Sequence, residues 1–128
     1  MELRDAVEAD AGRLAELTDS PRDVMRNLVH DRTVRVAEEG EEIRAFLSYD
    51  ARQHTVHVTQ MEGDPDAFPD LLAEPVGFAR AEGMAVEMLV PEGEPAVEDA
   101  AIAAGFEDVG AGPRFDGQPT TKLRIDSP

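Results

Sequence analysis

Apolar residues recur along this chain at two spacings, and the places where the spacing changes divide it into helices and strands. Residues 2–7 read as a short strand that feeds a helix. Across 8–18, Ala11, Leu14, Ala15 and Leu17 fall at helical intervals. Ser20-Pro21 predicts the start of a second helix, a capping side chain followed by proline at the first helical position. Val24, Met25, Leu28 and Val29 then supply its apolar face, which ends near His30.

From Thr33 the period drops to two. Residues 33–37 read as a strand, 39–41 as a turn and 43–49 as its antiparallel return. A third strand is expected over 54–61, with Val56 and Val58 on one face and Thr55, His57 and Thr59 on the other. Residues 64–83 read as a helix capped by Asp64, opened by Pro65 and stopped by Gly83. An interior proline costs a helix about 3 kcal/mol, so Pro75 predicts a kink near 73–75 or two shorter helices. A buried strand at 84–90, a helix at 94–104 closed by Gly105, and strands at 106–109 and 120–125 complete the pattern. An Asp116-Gly117 turn precedes the last strand.

The order is β-α-α-β-β-β-α-β-α-β-β, an α/β (α+β) mixed sheet with helices on both faces. No repeat or linker interrupts it, so residues 1–128 are expected to form a single domain. Leu, Ile, Val and Phe number 9, 3, 12 and 5, which is 29 of 128 residues and enough for a modest core. No apolar run approaches about 18 residues, and no charged-then-apolar segment opens the chain. A soluble, cytoplasmic protein without a membrane partner is expected.

Charge changes the picture most. Asp and Glu total 28 against 12 Lys and Arg, a formal charge of −16. Phosphate backbones are bound by clusters of cations, and none exists here, which argues against a nucleic-acid partner. The acids are scattered from Glu2 to Asp126, and the cations are 11 Arg with one lysine, Lys122. Such a surface fits a halophilic protein in a salt-loaded cytoplasm, where the Debye length falls to roughly 3 Å.

With no cysteine there is no disulfide, thiolate metal site or thiol nucleophile. His54 and His57, three apart in an expected strand, would point to opposite faces and could not share a metal. Asp64, Asp66 and Asp70 lack the central glycine and terminal glutamate of a calcium loop. No metal site is expected.

Several segments, in this order, carry a family likeness. These are Leu3-Arg4-Asp5-Ala6-Val7-Glu8-Ala9-Asp10 with Leu14-Ala15-Glu16-Leu17, Ala79-Arg80-Ala81-Glu82-Gly83-Met84 with Pro91, Ala103-Ala104-Gly105-Phe106-Glu107-Asp108-Val109-Gly110, and Phe115-Asp116-Gly117 with Lys122-Leu123-Arg124-Ile125. Over nearly the whole chain the sequence resembles the GNAT superfamily of acyl-CoA N-acyltransferases. The resemblance implies the GNAT fold, acetyl-CoA or another acyl-CoA as cofactor where the site is competent, and a small amine or a protein as partner. It also implies that a backbone N–H among Val58, Thr59 and Gln60 polarises the thioester carbonyl. The pyrophosphate loop maps to 63–68, with Gly63 and Ala67 as its cofactor-binding positions. His57 or Glu62, with His54 a further candidate by position, would serve as the base.

The same mapping shows two departures. Family members hold pyrophosphate on an Arg/Gln-x-x-Gly-x-Gly/Ala loop, where bare N–H groups and a helix end meet the phosphates. Here the matching positions hold Asp64, Asp66 and Phe68, and Pro65 removes a donor. The family's Asn near the start of the fourth helix is Glu94. Its Tyr, the acid for the departing thiolate, is Ala101. The lone tyrosine, Tyr49, reads as a structural aromatic.

The leading expectation is therefore a GNAT-like protein with a degenerate acetyl-CoA site, weakened or non-catalytic, serving as a binding or regulatory module without a cofactor. The alternative is an active N-acyltransferase with His57 or Glu62 as base. A third expectation is a homodimer through the closing strands, signalled by an exposed patch of Phe106, Phe115, Leu123 and Ile125.

Overall fold

A computed structural model describes residues 1–115 and 117–128; the Asp116 half of the expected 116–117 turn lies outside them. In chain order the elements are β1 (Glu2–Asp5), α1 (Ala11–Thr18), α2 (Arg22–Asp31), β2 (Thr33–Glu39), β3 (Glu42–Arg52) and β4 (Thr55–Gly63). They continue with α3 (Phe68–Glu82), β5 (Ala85–Pro91), α4 (Pro95–Ala103), β6 (Glu107–Ala111) and β7 (Thr120–Ile125). Short 3-10 turns at Glu8–Asp10 and Pro65–Ala67 lead into α1 and α3.

The strands form one mixed sheet in the order β1-β2-β3-β4-β5-β7-β6. Every neighbouring pair is antiparallel except β4 and β5. The alternation read from the sequence sets the two faces. On one, α3 and α4 cover Leu47, Val56, Val58, Val86, Met88 and Leu123. On the other, α1 and α2 cover Val34, Val36, Ile43 and Phe46, which come from β2 and β3 only. The opposite face of β5, β6 and β7 carries no part of that second cluster.

Four expectations change. First, of the two outcomes expected at Pro75, two shorter helices do not form: α3 is one helix from Phe68 through Pro75 to Glu82. Pro75 deprives the Leu71 carbonyl of a partner. However, Leu71, Leu72, Val76 and Ala79 are buried around it, and full burial of a leucine or valine side chain is worth about 1.5–3 kcal/mol, enough between the three to offset the loss.

Second, Ser20 does not cap α2. Its hydroxyl donates to the Thr18 carbonyl at 3.5 Å, and Pro21 occupies the cap with extended backbone. Asp19, at φ 53°, has already turned the chain away from α1.

Third, His54 is not in a strand. Gln53 and His54, at φ 52° and 61°, form the two-residue turn of the β3–β4 hairpin, where both central residues take positive φ. Fourth, Phe106, Phe115, Leu123 and Ile125 do not form one exposed patch. Phe106 and Leu123 are buried, Leu123 facing inward opposite Met88, and of the four residues only Phe115 is strongly exposed.

Among the described residues no helix is long and apolar enough to cross a membrane.

Candidate functional site

Two irregularities in β4 build the site. Ser48 of β3 pairs with Gln60 and Tyr49 with Val58, so Thr59 is an extra residue, a β-bulge. Its hydroxyl meets that of the fully buried Ser48 at 2.7 Å, which satisfies a polar group that would otherwise be costly there. On the other side, β4 and β5 pair only from Thr55↔Ala85 to Val58↔Met88. Past that point β4 stays with β3 as far as Gly63, and β5 stays with β7 as far as Pro91. The two parallel strands therefore separate at their C-terminal ends.

A cavity of about 490 Å³ lies in this opening, with Val58, Thr59, Gln60 and Met61 on its β4 wall and Met88 and Leu89 on its β5 wall. A second cavity of about 320 Å³ continues it towards Gly63, Pro65 and Phe68, and the two share Met61, Glu62, Glu94 and Val97. Phe68 does not fill the opening. It is almost wholly buried in the core under α3 and α4.

Of the residues singled out from sequence, His57, Val58, Thr59, Gln60 and Glu62 meet at the first cavity and Gly63 lines the second. Ala67 lines neither and is buried. Gly63 is required by packing. At φ 116°, a Cβ there would come within 2.4 Å of the Arg44 carbonyl oxygen and 2.5 Å of the Ala45 Cα.

The Glu62 carboxylate accepts from the Gln60 amide at 2.6 Å. Burial pushes its carboxyl above the ordinary range, the Gln60 bond opposes this, and Glu94 adds a further upward push.

On the sheet face opposite α3 and α4, directly paired positions form a charged row that sequence spacing did not reveal. Asp50 pairs with His57, His57 with Glu87, Glu87 with Arg124, and Arg124 with Glu107, across five strands. Within it, Arg124 Nη1 donates to Glu87 at 2.7 Å, Lys122 Nζ lies 3.8 Å from Glu87, and His57 Nδ1 lies 4.0 Å from it. Only the pairing register makes this visible, because the partners are far apart in the chain. Tyr49 lies elsewhere, its ring 6.0 Å from that of Phe78 on α3. Burial and the nearby Glu74 push its phenol up. Ala101 is fully buried in the core.

The approach to α3 has its own hydrogen-bond economy. The Asp64 amide donates to the Arg44 carbonyl at 2.9 Å, and the Asp66 amide to the Asp64 carboxylate at 3.0 Å. The Ala67 amide donates to the Asp64 carbonyl at 3.1 Å, and the Phe68 amide to the Pro65 carbonyl. Residues 65 and 69 are prolines. Every backbone N–H present from 64 to 69 is thus engaged within the chain.

No protein-family model matches the sequence, and no curated protein matches it. Solved structures do match. A ribosomal-protein-alanine N-acetyltransferase from Brucella melitensis superposes with a TM-score of 0.80 at 18% identity, covering 98% of this chain and 99% of that one. An acetyltransferase of the GNAT family from Streptococcus pneumoniae gives a TM-score of 0.76 at 15% identity, covering 99% of both chains. This chain has the GNAT acetyltransferase fold. YncA from Salmonella typhimurium, solved with its cofactor acetyl-CoA, gives 0.79 at 17% identity, covering 98% of this chain and 93% of that one. Acyl-CoA binding is thus compatible with the GNAT fold, and the residues of this chain decide whether it happens here.

Proposed function

We propose that this protein is a GNAT-fold binding module whose acyl-CoA site is weakened or lost. The observation that carries the reading is the engagement of every N–H from 64 to 69, beside the carboxylates of Asp64 and Asp66. A pyrophosphate there would have to displace internal hydrogen bonds and accept like charge at short range, worth about 1 kcal/mol per pair at 4 Å even in water. Ala101, where the resemblance places the acid tyrosine, offers no proton for a departing thiolate. The remaining cleft is open, with Glu62, Glu87 and Glu94 in its lining against Arg52 and His57.

Acetyl-CoA titrated calorimetrically into the protein in molar KCl is expected to give no saturable heat at micromolar concentrations. A micromolar dissociation constant overturns the reading.

One observation favours the alternative. The cleft between β4 and β5 is not blocked, and His57 and Glu62 both line it. An N-acyltransferase with one of them as base would then turn over an acceptor amine once acyl-CoA was bound.

A further inference from the structure

Helices α1 and α2 stand on β2 and β3, and on that same face β5, β7 and β6 have no helix over them among the described residues. A sheet can leave one side to water, but the groups on that side then decide what approaches it. This side carries the row Asp50, His57, Glu87, Arg124 and Glu107, one residue from each of β3, β4, β5, β7 and β6, at strand spacings of about 4.8 Å. Two members have bonding capacity left. Arg124 directs Nη1 to Glu87 and Nε to Asp126, and its Nη2 has no partner among the described residues. Glu107 is exposed and forms no ion pair among them.

Charge sets this side apart from the rest of the surface. Asp50 meets Arg32 and Arg52, Lys122 lies beside Glu87, and Asp126 accepts from Arg124. With Glu107 these make four acids and four cations, a neutral face on a chain of 28 acids and 12 cations. Contacts between two copies elsewhere mostly set acid against acid.

The row is also complementary to itself. A two-fold axis can lie between two stacked sheets, parallel to the strands and over the line between β5 and β7. Glu87 then faces the partner's Arg124, and His57 faces the partner's Glu107. An axis along the row would set each residue against itself, like on like. Face-to-face sheets lie about 10 Å apart, a gap that glutamate and arginine bridge when they reach from opposite sides. The same axis carries β3 and β2 past the partner's β6, so α1 and α2, which stand on them, clear its edge.

We propose that a second copy of this chain docks on the uncovered face of β4, β5, β7 and β6, with Glu87 of each copy against the partner's Arg124 and His57 against the partner's Glu107. The free Nη2 of Arg124 supplies the donor for the first contact. A ring N–H of His57 supplies it for the second, whether or not the imidazole is protonated. Register across five strands, rather than apolar area, selects this partner and this orientation.

Sedimentation equilibrium of the full chain in molar KCl is expected to show a monomer–dimer equilibrium. Glu87→Arg and Arg124→Glu should each weaken it about tenfold or more, because each sets like charges across the axis twice. Mixing the two variants should restore association to the wild-type level. In the mixed pair every altered residue faces an opposite charge on the partner, while the repulsion each variant creates inside its own chain stays as it was. Rescue by mixing is therefore a readout that a folding defect cannot imitate. Glu107→Ala alters an exposed residue with no ion pair of its own, so circular dichroism should be unchanged while dimerisation weakens about twofold to fivefold. A chain that stays monomeric at millimolar concentration overturns the proposal. So does a dimer indifferent to all three variants, which would place the contact on another surface, or a mixture of the two charge variants that associates no better than either alone.

Discussion

The Asp64 carboxylate accepts the backbone N–H of Asp66 at 3.0 Å, so an acid two residues upstream takes an amide from the approach to α3. Freeing that amide should restore affinity for phosphate. Asp64→Gly combined with Pro65→Gly and Asp66→Gly removes two negative charges and returns one N–H. We expect acetyl-CoA to bind at least about tenfold more tightly to this triple variant than to the wild type, measured by calorimetry in molar KCl. Unchanged binding would show that the loop is not what limits affinity.

Glu62 supplies a pH-dependent term of known sign. Its carboxyl is raised in the folded protein, first by burial, so the native state holds this proton more strongly than the unfolded chain. Stability from this group is complete below the ordinary Glu value of about 4.3 and falls as pH rises through the raised native value. Glu62→Gln removes the loss. Urea unfolding at constant KCl should show the variant gaining on the wild type as pH rises through the carboxylate range, with no gain below it.

Asp10 behaves in the opposite sense. Two hydrogen bonds from Arg4, at 2.8 and 3.1 Å, and one from the Val7 amide at 2.8 Å hold its carboxyl below the ordinary range. The contribution is present above the unfolded value and disappears as pH falls through the native one. Arg4 also donates to Glu38 at 3.0 Å, which joins β1 to β2 and to the turn before α1. Asp10→Asn is expected to cost about 1–2 kcal/mol near neutral pH and little under acid conditions, read from urea midpoints at each pH.

The formal charge of −16 makes salt a structural variable. Repulsion among exposed acids should weaken the fold at 50 mM KCl, a low-salt condition with a Debye length of more than about 10 Å, and molar KCl should relieve it. Thermal melts followed by circular dichroism are expected to shift upward across that range. A midpoint indifferent to salt would leave the acidity without this explanation.

Much of the architecture was legible in the chain. The change from helical to alternating spacing at Thr33, and the glycines at 83 and 105, mark elements that the structure places within a few residues. His57 and Gln60 could be assigned to one strand for the same reason, since alternation is a local property, whereas Glu62 lay one residue past the expected end of that strand and only the structure extends β4 to Gly63. The errors arose where a local rule met a tertiary constraint. Pro75 forbids one hydrogen bond, but burial against the sheet keeps α3 one continuous helix through it. Ser20 satisfies the capping pattern, but the left-handed turn at Asp19 moves its hydroxyl away.

The sequence by itself determined the order of strands and helices, the faces that become core, and the acids at the entrance to α3, because period, turn chemistry and residue identity are written along the chain. Only the tertiary structure decided that β4 and β5 part after Val58 and Met88, that Glu62 and Glu94 share the mouth of that opening, and that Asp50, His57, Glu87, Arg124 and Glu107 align in one row. Those relationships depend on register between strands distant in sequence, and register emerges only when the two cores pack against the sheet.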